Sequence, residues 1–215
     1  MQSAGRALWV IVYEGKQPPS EETCRTWLGH EERIVVVACA QRNVAQSLRT
    51  RWADRGDLGR RAFVIEFAER RLPIADGLAD VVIWQGDQWN EQLRSELFRV
   101  AHPGATVSVV DRTWTAPRPP GSDDWSHPYH GPDNNPLSQD VHSEGPYLTQ
   151  FLTEPWYVPM PEVTVASGGR LFKAFGHIAL KKREWPWLNK LVAINGFNGL
   201  LLWSRDLMPG FNIHR

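Results

Sequence analysis

The sequence predicts an α/β domain built from βαβ units, followed by an all-β segment. Three observations lead to this prediction. In the first half, short apolar runs rich in β-branched residues alternate with stretches of helical periodicity. A proline-rich stretch at residues 115–122 then interrupts the periodicity. In the second half, apolar runs are joined in pairs by glycine-containing turns. We therefore expect the first domain at residues 1–114, a linker at 115–122 and the all-β segment at 123–215.

Five short apolar runs are the candidate strands of the first domain, and they lie at residues 7–13, 33–39, 62–67, 80–84 and 106–110. Residues 43–53 and 90–100 have the spacing of amphipathic helices, and in the second of them Leu93, Leu97 and Val100 fall on one face. Ser20, which is followed by two glutamates, is a candidate start for an earlier helix. Strands that alternate with helices predict a parallel sheet with helical layers.

Charge and cysteine content narrow the classes of partner and site. Lys plus Arg equal Asp plus Glu at 24 each, so no global field draws the chain to nucleic acid or to an anionic membrane. Six arginines cluster at positions 42, 49, 51, 55, 60 and 61, where a solvated helix face is favoured over a phosphate-binding patch. Cys24 and Cys39 form no CxxC pair, which argues against a zinc site or a disulfide framework.

The longest early apolar run, at residues 7–13, is too short to span a bilayer. No small-residue cleavage site follows it, so the sequence shows no export signal of its own. We therefore predict no membrane span, and the run is better interpreted as the first strand.

Two segments carry a more specific signal. Residues 72–83 read Leu-Pro-Ile-Ala-Asp-Gly-Leu-Ala-Asp-Val-Val-Ile, and residues 97–104 read Leu-Phe-Arg-Val-Ala-His-Pro-Gly. They resemble the second half of class I S-adenosylmethionine-dependent methyltransferases, in which a Leu-Pro-Phe loop leads into strand four and a Pro-Gly turn leads into strand five. The resemblance implies a Rossmann-like fold with S-adenosylmethionine as a possible cofactor. The strand ends near Glu14, Gly15, Glu66 and Gln85 are the candidate cofactor-binding residues.

The first half of this domain departs from the sequence pattern of the methyltransferase family. A nucleotide site after the first strand usually needs a glycine-rich loop, whereas residues 14–19 read Glu-Gly-Lys-Gln-Pro-Pro. Where the family places an acid for the ribose hydroxyls, the chain has Cys39-Ala40-Gln41. We therefore predict a degenerate, non-catalytic methyltransferase-like domain with no catalytic residue assigned. An active methyltransferase is the alternative.

The stretch after the linker is dense in polar side chains. Asp124, His127, His130 and Asp133 could supply oxygen and nitrogen ligands to a divalent metal. Prolines at positions 128 and 132 argue against a helix that would present both imidazoles on one face. A structural loop that leads into the all-β segment is the other interpretation.

Residues 191–203 read Leu-Val-Ala-Ile-Asn-Gly-Phe-Asn-Gly-Leu-Leu-Leu-Trp and predict a hairpin with its tight turn at Asn198-Gly199. The spacing of Ala193, Asn195, Gly199 and Trp203 resembles the tryptophan-docking motif of pyrroloquinoline-quinone (PQQ)-like β-propellers, although that motif has Asp where Asn195 stands. The alternative is an ordinary amphipathic hairpin. With the strand, Gly-Gly turn and strand of residues 163–172, the hairpin would complete one four-stranded blade, interrupted by a loop insertion at residues 181–184.

The resemblance to propellers has consequences for partners and function. Because a lone blade cannot bury its faces, it implies that the chain is a fragment whose partners are the missing blades or another protein chain. It also implies a bacterial protein whose full-length relatives are extracytoplasmic. PQQ itself is not expected, because its ligands come from several blades. The predicted role is scaffolding or recognition of a ligand or partner, and a fragment of a quinoprotein-type dehydrogenase is a further alternative.

Overall fold

The computed structural model describes residues 6–68, 71–87, 89–142, 149–154, 161–176, 178–179 and 181–208. Contacts divide the chain into two compact units, of which the first is Arg6–Arg118 and the second comprises the described residues from Pro119 onward. Within these ranges, no helix combines the length and apolar character needed to cross a bilayer.

The first unit is a six-stranded sheet in the order β3-β2-β1-β4-β5-β6. The first five strands are parallel, and β6 pairs antiparallel with β5. The strands are β1 Ala7–Tyr13, β2 Arg33–Cys39, β3 Ala62–Glu66, β4 Ala79–Gln85, β5 Ala101–Val109 and β6 Arg112–Thr115. The helices are α1 Glu21–Leu28, α2 Arg42–Asp54 and α3 Glu91–Val100. This order of parallel strands makes the unit Rossmann-like and confirms the predicted α/β domain.

Both faces of this sheet are covered, which explains why its central strands read as continuous apolar runs. Val10 and Val12 of β1 pack in one cluster with residues of α3, whereas Ile11 packs in the other with α1 and α2. Helices α1 and α3 start at side-chain caps. Ser20 Oγ accepts from the Thr23 amide at 3.1 Å at the start of α1, and Asn90 caps α3 in the same way.

The end of the first unit differs from the prediction in two respects. Strand β5 begins at Ala101, so Pro103 and Gly104 lie within the strand and not in a turn before it. The strand bulges there, since its register with β4 shifts and Gly104 has a φ of +85°. Strand β6 was not predicted. It follows a turn at Val110, whose φ of +52° is unusual for a β-branched residue.

The second unit contains a four-stranded antiparallel sheet in the order β10-β9-β8-β7. Its strands are β7 Pro161–Ser167, β8 Arg170–Phe175, β9 Lys190–Asn195 and β10 Leu201–Asp206. The two predicted hairpins are therefore present. The predicted insertion at residues 181–184 does lie between β8 and β9, but most of it forms a 3₁₀ helix, Lys182–Trp187, and not a loop. Glu184 holds the start of this helix by accepting a hydrogen bond from the Lys181 amide at 3.0 Å.

The connection between β9 and β10 is longer than the predicted tight turn. It comprises the five residues 196–200, and within it only Gly199 has a positive φ, of +75°. Asn195 organises the connection, because its Oδ1 accepts from the amides of Phe197 and Asn198 at 2.9 and 3.3 Å. An asparagine that bonds amides two and three residues ahead produces a wider, side-chain-supported turn.

Candidate functional site

A cavity of about 320 Å³ lies at the carboxyl ends of the parallel strands of the first unit. We call it the carboxyl-edge cavity. Polar residues and aromatic rings share its walls, and they include Glu14, Gln41, Asn90, Glu96, Phe67 and Trp84. Strands β2 and β4 lie on either side of β1, so the cavity opens where the strand order reverses. Open α/β sheets bind their ligands at this position.

Glu14 and Trp84, which both line the cavity, lie close to Gly86. A Cβ atom on Gly86 would lie 2.5 Å from Trp84 Cζ2 and 2.8 Å from Glu14 Oε2. A side chain at position 86 would therefore collide with both the indole ring and the carboxylate. Trp84 is only 3 % exposed, and its Nε1 has no hydrogen-bond partner among the described residues.

The four predicted cofactor-binding residues all lie at the carboxyl edge, but only Glu14 lines the cavity. Gln85 is the last residue of β4, and its carbonyl accepts from the Glu14 amide at 2.9 Å. The Glu66 carboxylate is paired with Arg49 at 2.5 Å. Gly15 has a structural role, because a Cβ there would collide with the ring of Tyr13.

The loop after β1 folds back on Tyr13 and does not form a ligand cradle. The Tyr13 hydroxyl donates to the carbonyl of Gln17 at 2.8 Å, which fixes the loop over the ring. At the end of β2, Ala40 and Gln41 line the cavity, so no carboxylate stands there for a ribose diol. These residues do not fit the nucleoside of S-adenosylmethionine in the way that the family resemblance implies.

A buried ion pair closes the cavity wall on the side of α3. Glu96 Oε1 accepts from the Leu72 amide and from Arg99 Nη2, both at 2.6 Å. Arg99 also donates to the carbonyls of Leu72 and Ile74 and to Asp76. Burial alone would raise the pKa of Glu96, but the bonds from Arg99 and Leu72 lower it overall. Glu96 is therefore a neutralised structural group in the wall.

Both cysteines of the first unit are buried free thiols. Burial raises the pKa of Cys39, at the end of β2, to about 11, although Arg49 acts in the opposite direction. Burial also raises the pKa of Cys24. Thiols with raised pKa values are poor nucleophiles, so neither cysteine suits covalent chemistry beside the cavity.

Arginines of the cluster at positions 42–61 form ion pairs with carboxylates of the first unit. In addition to the pair of Arg49 with Glu66, Arg55 and Arg61 both bond to the buried carboxylate of Asp57, at 3.2 and 2.8 Å. Half of the six arginines thus have an intramolecular acidic partner. This arrangement favours the structural interpretation of the cluster.

Sequence reasoning missed most of the cavity walls. Trp84 and Phe67 were interpreted as strand residues, and Asn90 only as part of a helix. The positions of Phe67 and Trp84 in the sequence could have indicated that they line the site. Phe67 follows β3 directly, and Trp84 is the penultimate residue of β4. Side chains at the carboxyl ends of parallel strands converge on one edge, whatever their chemical type.

The predicted metal-binding residues lie in the second unit and engage different partners. Asp124 accepts from Ser167 and from the Gly168 amide, at 3.3 Å each. His130 pairs with Asp123 at 2.6 Å, and His127 contacts the adjacent serine. Asp133 accepts from the Asn135 amide. Nowhere in the described part of the chain do three His, Cys, Asp or Glu side chains converge as metal ligands would. The metal site stays a prediction.

The residues of the proposed docking motif lie in the second sheet. Trp203 of β10 stands opposite Ala193 of β9, which stands opposite Phe172 of β8. Because Ala193 is small, the rings of Trp203 and Phe172 approach above it, with centroids 6.1 Å apart. Asn195 and Gly199 form the connection between the strands, and Gly199 lacks a side chain where the ring of Phe151 packs.

Neither a protein-family model nor a curated protein matches the sequence. Solved structures match its first half. An S-adenosylmethionine-dependent methyltransferase from Aquifex aeolicus is 16 % identical, with a TM-score of 0.41 over 50 % of this chain and 57 % of its own. A proposed sarcosine dimethylglycine methyltransferase from Galdieria sulphuraria is 12 % identical, with a TM-score of 0.42 over 49 % of this chain and 39 % of its own. The [4+2]-cyclase SpnF is 15 % identical, with a TM-score of 0.42 over 50 % and 39 %.

This chain thus spans between 39 % and 57 % of the length of these three proteins. At such scores the similarity assigns no activity. The first half of this chain is a Rossmann-like domain. This conclusion rests on the parallel strand order β3-β2-β1-β4-β5 of the chain itself.

Proposed function

We propose that the first unit is a methyltransferase-like domain that recognises a small ligand and transfers no methyl group. One observation carries the proposal. The domain keeps a cavity at the ligand-binding position of its fold, while the loop that would hold a nucleoside is packed on Tyr13. The pairing of Glu66 with Arg49 and of Glu96 with Arg99 supports it, because both carboxylates are neutralised within the protein.

Calorimetric titration of the full chain with S-adenosylmethionine tests this proposal. We expect no binding heat at cofactor concentrations up to about 1 mM, which corresponds to a binding free energy weaker than about −4 kcal/mol. S-adenosylhomocysteine serves as the second probe, since it keeps the nucleoside and lacks the charge on sulfur. Stoichiometric binding of either compound at micromolar concentration would restore the active methyltransferase, with Glu14, Gly15, Glu66 and Gln85 as its cofactor cradle.

For the second unit we propose a role as one blade of a PQQ-like β-propeller that packs against further blades or another protein chain. A cross-strand row supports this role. Val165, Phe172, Ala193 and Trp203 stand opposite one another on β7, β8, β9 and β10 and so share one face of the sheet. The opposite face carries its own apolar cluster, with Phe175 and Val192 among its members. A sheet that is apolar on both faces is suited to stacking between neighbours.

The blade proposal predicts self-association of the isolated chain, because under this proposal the row around Trp203 packs against a partner surface. Light scattering coupled to sizing chromatography should give a mass above that of the monomer. Trp203→Ser should shift the population toward monomer. Trp185→Ser is the matched control, since Trp185 is 59 % exposed, lies on the 3₁₀ helix and belongs to none of the four strands of the row. A wild-type chain that elutes as a compact monomer at all concentrations would contradict the proposal.

A further inference from the structure

One carboxylate and one imidazole connect the amino ends of three neighbouring strands of the first unit. Asp80, near the start of β4, accepts from the Leu8 amide of β1 at 2.7 Å through its Oδ2. The Oδ1 of Asp80 lies 2.9 Å from Nε2 of His102, the second residue of β5. The side chains of His102 and Asp80 are only 12 % and 20 % exposed. We call these two side chains the amino-edge pair.

The surroundings of the His102 ring determine where its protons lie. Nδ1 is 2.8 Å from the carbonyl oxygen of Pro103, and a carbonyl only accepts hydrogen bonds, so Nδ1 carries a proton. Nε2 faces a carboxylate whose other oxygen already accepts from the Leu8 amide. A carboxylate also only accepts, so Nε2 needs a proton as well. With protons on both nitrogens, the ring of His102 is a cation.

The charged form of His102 is favoured by the groups that face it. Among the described residues, the Asp80 carboxylate of β4 is the charged group that acts on the ring, and β5 itself adds the Pro103 carbonyl. Burial lowers the pKa of His102, but the hydrogen bonds to Asp80 and Pro103 raise it overall above its ordinary value. The contacts that fix the ring in place therefore also keep it charged.

The amino-edge pair lies at the irregular part of β5. Residues 102–105 oppose a single residue of β4, Asp80, because the register between the two strands shifts there. The same bulge is connected to the chain beyond β6, since the Gly104 amide donates to the Ala116 carbonyl at 2.8 Å. The bulge interrupts the regular ladder between β4 and β5, and the pair of His102 with Asp80 provides a side-chain link across it.

We propose that the amino-edge pair is a pH-sensitive switch, in which His102 links the β5 bulge to β4 as a cation and releases it when alkaline pH removes one ring proton. A neutral ring with its proton on Nδ1 would turn the lone pair of Nε2 toward the Asp80 carboxylate, which is a repulsive contact. The switch lies at the edge of the sheet opposite the carboxyl-edge cavity, so it does not depend on what that cavity binds.

The direction of the pH dependence follows from the raised pKa of His102 in the folded chain. The unfolded chain has the ordinary histidine pKa of about 6.5. Below that pH the amino-edge pair contributes its full stabilisation, and the contribution is lost as the pH rises through the folded value. Alkaline pH therefore destabilises the first unit through this pair.

Nitrogen NMR of the full wild-type chain tests the state of the ring directly, in a titration from about pH 5.5 to 9.5. Both ring nitrogens of His102 should be protonated at neutral pH, and the midpoint should lie above about 6.5. The amides of Leu8 and Gly104 should shift with the same midpoint, because they lie at the two ends of the link. A midpoint at or below about 6.5, or amides that do not follow the ring, would overturn the inference.

Asp80→Asn separates the charge of Asp80 from its hydrogen bond to β1. Asparagine keeps an acceptor for the Leu8 amide and removes the negative charge, so burial then dominates the His102 ring. We expect the midpoint of His102 in this variant to fall to about 6.5 or lower. An unchanged midpoint would contradict the assignment of Asp80 as the partner that keeps the ring charged.

Urea unfolding measures the effect on stability. His102→Gln is neutral at every pH, so the stability of the wild type relative to this variant should be larger at about pH 6 than at about pH 9. The comparison cancels the contribution of the buried cysteines, whose pKa values are also raised. His30→Gln is the matched control, because His30 is the other histidine of the first unit and is exposed.

The His30 variant should keep the pH dependence of the wild type. Parallel stability profiles of the wild type and His102→Gln would overturn the inference. The NMR titration uses the wild-type chain, so it decides the inference even where a variant fails to fold.

Discussion

Replacing Arg99 with alanine is expected to lower the free energy of unfolding of the first unit by about 3–5 kcal/mol. The side chains of Arg99 and Glu96 are only 17 % and 10 % exposed, so the variant would leave a buried carboxylate without its countercharge. It would also free the carbonyls of Leu72 and Ile74 that Arg99 holds. Urea unfolding followed by circular dichroism at 222 nm measures the change, because the three α-helices found among the described residues all belong to this unit.

The same helix provides the control for Arg99. Arg94 and Glu91 are also three residues apart and ion-paired, but their side chains are 45 % and 76 % exposed. Arg94→Ala should therefore change stability by less than about 1 kcal/mol. A double variant, Glu96→Gln with Arg99→Met, removes both charges and keeps an acceptor for the Leu72 amide. It should recover more than half of the loss. Equal stabilities of the Arg99→Ala and Arg94→Ala variants would contradict the account of the cavity wall.

Trp52→Ala is expected to have a similarly large effect, of about 3–5 kcal/mol. Trp52 lies on the buried face of α2 and is among the largest fully buried side chains described. It packs in the cluster that contains Val44 and Leu48 from the same helix. Removing the indole would leave a cavity between α2 and the sheet, which urea unfolding of the first unit would report.

Trp52→Phe separates the volume of the ring from its polar atom. The Nε1 of Trp52 is buried and has no hydrogen-bond partner among the described residues, which is an unfavourable state for an N–H group. Phenylalanine loses some packing and also removes this unsatisfied donor, so we expect a loss below about 1.5 kcal/mol. A loss as large as that of Trp52→Ala would mean that the indole N–H is stabilised in a way the structure does not show.

Local patterns were sufficient to predict the framework of the first unit. The β-branched runs of β1 and β2 lie where the sequence placed them, because strands buried on both faces must be continuously apolar. The start of α1 followed from the capping side chain of Ser20. Strand β6 was missed since its four residues are mostly exposed and depend on pairing with β5, which no local pattern encodes.

The candidate site was harder to predict, because it depends on which distant residues meet. Glu66 is at the end of β3 as expected, yet Arg49 of α2 neutralises it. Gly15 looked like the remnant of a ligand-binding loop, but its lack of a side chain accommodates Tyr13. Each of these contacts is set by tertiary packing and leaves no signature in residue spacing.

The central claim is that the carboxyl-edge cavity does not hold the nucleoside of S-adenosylmethionine, because the loop after β1 is packed on Tyr13 and no carboxylate follows β2. Site-resolved nuclear magnetic resonance tests it most directly, with the indole N–H of Trp84 and the amide of Gly86 as reporters. Addition of S-adenosylmethionine should leave both signals in place. Shifts of both signals with S-adenosylmethionine would contradict the account.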